Sequence, residues 1–179
     1  ALGRAIAKFS DFQVPPNPKT TFSIGRIGGG TSINSIAYEA WMEVDMRSVD
    51  SEELRALDAK FQKALDQALA EEKQRWAERG ELKVEKNQVG DRPAGRTLET
   101  SPIVQTAISV TRALGFNPRL GSGSTDSNIP MSLNIPAITI GGGGRGSGGH
   151  SIRESYDSTL SWQGTQRALL LAIALAQKD

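Results

Sequence analysis

Apolar and polar positions alternate along this chain with two different periods, and each change of period marks an element. Leu2, Ile6 and Phe9 recur at helical spacing and predict an opening helix with one apolar face. Pro15-Pro16-Asn17-Pro18 excludes further helix, because proline lacks the amide donor and crowds the preceding turn. Thr20 to Ile27 reads as a strand, Phe22 and Ile24 alternating with Thr21 and Ser23, closed by Gly28-Gly29-Gly30. From Ile36 to Val49 the alternation is strict. Ile36, Tyr38, Ala40, Met42, Val44 and Met46 share one face, and Glu39, Glu43, Asp45 and Arg47 share the other, which predicts a long half-exposed antiparallel strand.

Asp50, with Glu53 three residues on, makes a start resembling a capping box. Leu54, Leu57, Phe61, Ala64, Leu65, Ala68 and Leu69 then follow at helical spacing, and the helix is expected to end near Gly80. Leu82 to Val89 reads as another amphipathic strand. The order is helix, strand, strand, helix, strand. With one strand missing in front, that is a ferredoxin-like unit: two helices on one face of a four-stranded antiparallel sheet.

Beyond the loop Gly90 to Arg96 the pattern changes, which places a domain boundary there. Ser101 as cap and Pro102 at the first helical position begin a helix bearing Ile103, Val104, Ala107, Ile108, Thr111 and Leu114, stopped by Gly115. Short segments near Leu120 precede a compact apolar run, Ile135 to Ile140, suited to a strand covered on both faces. A last helix, about Gly164 to Gln177, is rich in Leu and Ala and is expected to pack on that sheet. So few strands make a thin α/β portion, and apolar surface should remain for another segment to cover.

Composition narrows the functional classes. Lysine plus arginine (21) nearly balances aspartate plus glutamate (20), and no run of like charge occurs, so neither nucleic acid nor an anionic membrane is an expected partner. The longest apolar stretch, Ala168 to Ala176, is too short to cross a bilayer. The absence of cysteine excludes a disulfide framework and suits the cytosol, although it leaves the compartment open. The chain opens without an initiator Met, and no Ser, Thr, Asp or Asn caps its first helix. That pattern suggests a helix entered midway and a segment lost in front.

His150 is the one histidine, and it follows a glycine-rich loop, Gly141 to Gly149, placed directly after the apolar run. In open α/β sheets ligands bind at strand ends of this kind, and imidazole there offers a metal ligand or an acid/base near neutral pH. Taken alone, a single histidine on a loop is more often a solvated residue. One ligand also cannot complete a zinc site, which wants three or four. The loop lacks the Lys-Ser/Thr ending of a phosphate-binding loop, and Gly28-Gly29-Gly30 precedes a strand instead of a helix. Ser124-Thr125-Asp126-Ser127-Asn128 invites a serine nucleophile but reads better as a turn rich in bonds from side chain to backbone.

Five strings in order, Gly28 to Ala37, Glu43 to Arg47, Gly90 to Ala94, Gly123 to Asp126, and Gly149-His150-Ser151 with Glu154, resemble the co-catalytic zinc aminoacylase and carboxypeptidase family. That family includes aminoacylase, the folate-cleaving glutamate carboxypeptidase, succinyl-diaminopimelate desuccinylase and tripeptide aminopeptidases. The resemblance implies an α+β ferredoxin-like lid that dimerises, residues 1–93 without its first strand. The remainder, 94–179, is then an incomplete α/β portion of the catalytic domain.

The resemblance also implies residue roles. His150 matches a zinc ligand, with Glu154 as a partner that orients it. Asn34, Arg92, Thr125, Asp126 and Gly142 match substrate-contacting positions, Arg92 as the guanidinium that grips a carboxylate. Arg47 could serve the same end, but a solvated surface arginine is the more ordinary reading. The other ligands for a pair of zinc ions and the Glu general base are expected in a segment before the lid. The intact parent is then a homodimeric amidohydrolase or peptidase of short peptides or N-acyl amino acids, and this chain alone is expected to be inactive. Two other readings stay open: a stand-alone dimerisation or ligand-binding module, and a small hydrolase built on Ser124 and His150.

Overall fold

The computed structural model describes residues 1–77 and 79–177, which group into two compact units, Ala1–Ala94 and Gly95–Asp179. The first contains α1 (Leu2–Ser10), β1 (Thr20–Gly29), β2 (Ala40–Ser48) and α2 (Ser51–Arg75). The second contains α3 (Pro102–Ala113), α4 (Asn128–Ser132), β3 (Arg145–Ser147), β4 (Ser155–Asp157) and α5 (Trp162–Ala176).

In the first unit the helical spacing of apolar residues does what it predicts: α1 and α2 pack together on β2. Phe9 is fully buried at their junction, its ring centroid 5.1 Å from Phe12, 4.6 Å from Phe22 and 4.8 Å from Phe61. Ala5, Ala64 and Ala68 are buried beside it, and their small side chains let the two helices approach closely. Ion pairs close the rim, Arg4 Nε to Glu72 Oε2 at 2.8 Å and Lys8 Nζ to Glu71 Oε1 at 2.6 Å.

β1 and β2 pair antiparallel, with the register shifting at Gly25 between the pairs Ile24↔Val44 and Arg26↔Glu43. Before the shift Phe22 and Ile24 point inward while Thr21 and Ser23 face solvent. On β2 the half-buried Met42, Val44 and Met46 alternate with exposed Glu43, Asp45 and Arg47. The glycine triplet serves this ladder. A Cβ on Gly28 would meet the Trp41 ring at 2.5 Å, and one on Gly29 would meet Ala40 Cα at 2.5 Å.

Several expected boundaries are corrected. β2 begins at Ala40, not Ile36; Ile36 and Tyr38 are 99% and 79% exposed. The ladder ends where Gly30 donates to the Glu39 carbonyl at 3.1 Å, so residues before Glu39 have no strand opposite them. α2 stops at Arg75, short of Gly80. Its cap is one-sided: Asp50 Oδ1 accepts from the Glu52 and Glu53 amides at 2.8 and 3.0 Å, while the Asp50 amide donates to Ser48 Oγ. Residues 82–89 form no ladder among the described residues, and Lys86 ties them to Asp66 of α2 at 2.7 Å. In a ferredoxin-like sheet the last strand pairs with the first, and no such partner occurs among the described residues.

In the second unit α5 packs on α3, not on a sheet, burying Val104, Val110 and Leu171. The expected strand Ile135 to Ile140 has no ladder among the described residues, and Ile135 is exposed. A covered strand needs neighbours on both sides. Here one hydroxyl substitutes: Thr97 Oγ1 donates to the Ala137 carbonyl at 2.6 Å and accepts its amide at 3.1 Å. Ser101 stands at the N-cap of α3, but its hydroxyl turns back to the Leu98 carbonyl. The short helix α4 and the β3-β4 hairpin were not expected from periodicity.

The chain exposes 13505 Å², where two separate compact domains of this total mass would expose about 10,000 Å². Exposed apolar side chains include Leu160, Trp162, Leu169 and Ile173 around α5, and Ile33, Ile36 and Tyr38 in the first unit.

Candidate functional site

The glycine-rich loop leads from Ile140 into β3, and the chain returns along β4 with Arg145 opposite Asp157, Gly146 opposite Tyr156 and Ser147 opposite Ser155. His150 rides on the connection between the two strands. Its backbone lies in the left-handed region at φ +62°, uncommon for any residue with a side chain. The conformation is held from within the loop. The His150 amide donates to Glu154 Oε2 at 3.1 Å, Ser151 Oγ donates to the Gly148 carbonyl at 2.6 Å, and the Arg153 amide donates to Ser151 Oγ at 3.1 Å. At the mouth of the connection the Ser147 and Ser155 hydroxyls lie 2.8 Å apart.

Beside the connection runs an open groove of about 540 Å³, lined by Gly146, Gly148, Gly149, Glu154 and Tyr156 among others. Tyr156 Oη donates to the Gly143 carbonyl at 3.2 Å, which ties the glycine loop to the returning strand. Asp157 accepts both the amide and the hydroxyl of Thr159, at 2.9 and 2.6 Å. Those bonds, the hydroxyl first, hold its carboxyl below the ordinary range and fasten β4 to the entry of α5.

The Thr125-Asp126 turn is built as the sequence suggests. The Thr125 amide donates to Asn128 Oδ1 at 3.0 Å, and the Asn128 amide returns to the Thr125 carbonyl at 3.1 Å. Thr125 Oγ1 and Ser127 Oγ each lie 2.7 Å from Thr139 Oγ1. Thr139 stands two residues before Gly141, so this turn is fastened to the segment that enters the glycine loop. Periodicity hid it, because a threonine inside Ile135 to Ile140 reads as one more strand former.

The structure thus fastens the Thr125-Asp126 turn to Thr139, just before the glycine loop that carries Gly142, and bonds His150 to Glu154 on the hairpin connection that follows, all within the second unit. Asn34 and Arg92 belong to the first. Asn34 lies in the exposed connection between β1 and β2, where its Oδ1 accepts from Ser32 Oγ at 2.9 Å, and Arg92 is exposed on the segment after α2. Arg47 pairs with its neighbour Asp45 at 2.6 Å on the solvent face of β2.

Among the described residues no three His, Asp or Glu side chains converge as a metal cage. Among the described residues His150 offers an exposed imidazole on a loop braced by a carboxylate, a candidate metal donor in kind, but a zinc site needs three or more protein ligands. Two structural signals escaped sequence reading: Gly164, whose backbone sits directly on the glycine loop, and Tyr156, which closes over Gly144.

Residues 1–73 match the peptidase dimerisation domain family. The fold matches that of aminopeptidase PepT from Bacillus cereus with a TM-score of 0.67 at 22% identity, over 98% of this chain and 44% of that one. This chain thus spans less than half the length of that aminopeptidase. No curated protein matches the chain. The α+β lid read from the sequence coincides with that domain match, and the resemblance to a peptidase family is supported over residues 1–73. Among the described residues no helix is long and apolar enough to cross a membrane.

Proposed function

From a chain that carries a peptidase dimerisation domain at residues 1–73 and shares an aminopeptidase fold, we propose a lid and returning catalytic portion of a zinc-dependent peptidase or amidohydrolase. The observation that carries this reading is the coincidence of that domain with a fold match extending over 98% of the chain. In this reading residues 1–93 form the lid and 94–179 the catalytic portion. His150 supplies one imidazole donor to a pair of zinc ions whose other ligands, with the general base, come from a preceding segment.

Zinc in such a site supplies Lewis acidity toward a scissile carbonyl and acidifies water. The residues of this chain bind and orient. Glu154 fixes the main chain of His150, and Gly142, whose carbonyl is covered by Gly164, leaves its Cβ side open to close approach by a ligand. The Thr125-Asp126 turn borders the cleft. Arg92 offers a planar pair of donors to a substrate carboxylate, and Asn34 contacts the substrate from the lid. The substrates are short peptides or N-acyl amino acids, cleaved in a soluble homodimer that assembles through the lid.

The test joins this chain to the coding segment that precedes it in its gene. The expected outcome is metal-dependent hydrolysis of dipeptides or N-acyl amino acids, abolished by His150→Ala. Undiminished hydrolysis in that variant removes the zinc assignment. A second reading, a stand-alone dimerisation or ligand-binding module, draws on the lack of a converging ligand set among the described residues. It predicts that the joined protein is inactive and that His150→Ala is silent.

A further inference from the structure

Glycine is a poor helix former, because it loses more backbone freedom than any other residue. Gly164 nevertheless sits in the first turn of α5, buried. A Cβ there would fall inside the van der Waals shells of the Gly142 carbonyl carbon and oxygen, and 2.5 Å from the Gly143 nitrogen. All of these are backbone atoms, which cannot swing aside as a side chain would. The contact is reciprocal. Gly143, at φ +80°, presents its own missing Cβ to the Ser161 carbonyl oxygen at 2.5 Å and the Gly164 nitrogen at 2.7 Å.

The other side of the loop is gripped as well. Gly144, at φ +65°, has room for no Cβ, because the Tyr156 hydroxyl would stand 2.5 Å away and the Asp157 carbonyl oxygen 2.6 Å. From Gly144 the chain passes without a break into β3, which pairs along its whole length with β4. A displacement at Gly142 and Gly143 is therefore passed to the root of the hairpin whose connection carries His150.

We infer that Gly164 is a positioning residue for the His150 loop: the absent side chain lets α5 seat directly on Gly142 and Gly143, and this backbone contact sets where the imidazole is presented. Tyr156 completes the clamp from the returning strand. The inference rests on the proposed function only in taking His150 as a zinc donor; the placement of the loop is a metal-free property.

Because His150 is the chain's one histidine, its imidazole signals in an isotope-labelled sample stand alone. Gly164→Ala is expected to keep the methyl signals of Val104, Val110 and Leu171 in place while shifting the amides of Gly142, Gly143 and Gly144 and the His150 imidazole. Zinc binding read at that imidazole should weaken by about tenfold. Gln166→Ala, exposed on the same helix, should move none of these signals. Gly164→Ala with an unmoved glycine loop and His150 overturns the inference. If that variant undocks α5, seen in the three methyl signals, Tyr156→Phe takes its place: a shift at Gly143, Gly144 and His150 supports the clamp, and an unmoved His150 overturns it. A wild-type imidazole that ignores zinc removes the zinc-donor reading, and the metal-free shifts then decide the positioning role by themselves.

Discussion

The backbone amide of His150 donates to the carboxylate of Glu154 at 3.1 Å, so the main chain of the one histidine is anchored while its side chain stays exposed. Anchoring the main chain sets the direction of the Cα–Cβ bond and leaves both ring nitrogens for a ligand. Glu154→Ala is expected to release the amide. Its hydrogen exchange should accelerate, and zinc binding at the imidazole should weaken by about tenfold. Glu154→Gln keeps a carbonyl acceptor and should restore most of the protection. Equal exchange in all three proteins would show that the bond does not hold the loop.

The left-handed backbone of His150 costs on the order of 1 kcal/mol relative to glycine. His150→Gly should therefore stabilise the second unit by about that amount in chemical unfolding, while the response to zinc is lost. A destabilised variant would mean that the imidazole itself packs the loop.

Phe9 closes the core of the first unit, touching rings from the α1 exit, β1 and α2. Phe9→Ala removes all three contacts and should cost about 3–5 kcal/mol, a large share of the stability of a domain this size. Thermal unfolding followed by circular dichroism should show the helical signal of α1 and α2 lost at a much lower temperature. Survival near the wild-type midpoint would place the core elsewhere.

Acid should loosen the same unit through Glu72. Its carboxyl is held down to about 2, first by the hydrogen bond from Arg4, then by that from the Trp76 indole, against a smaller opposing effect of desolvation. Glu71 is lowered by Lys8 in the same way. A depressed folded value means that this stabilisation is complete above the ordinary carboxylate range, near 4.5. It drains away as pH falls from there toward 2. Glu72→Gln should flatten the dependence of the unfolding midpoint over that window, and an unchanged slope would assign acid sensitivity to other groups.

The lid presents a two-stranded sheet with no further ladder partner among the described residues, a ready edge for pairing with a second copy. Sedimentation is expected to show a dimer that survives substitutions around α5. A strictly monomeric profile would count against assembly through the lid.

The four long helices were legible because an α-helix closes its hydrogen bonds within a few residues, so local spacing, with start signals such as the Asp50 cap and Pro102 at the first helical position, points to it. The alternation of β1 and β2 was legible for a similar reason, since a short connection brings them together. The order of motifs along the chain also pointed to a resemblance to zinc peptidases, and to His150 and Glu154 as neighbours. Tertiary structure decided the rest. Residues 82–89 and 135–140 carry strand-like patterns, but a strand exists only where another segment answers its amides and carbonyls, and sequence period says nothing about that partner. The seat of Gly164 on Gly142 and Gly143 was equally silent, because it joins backbone atoms some twenty residues apart through the absence of a side chain.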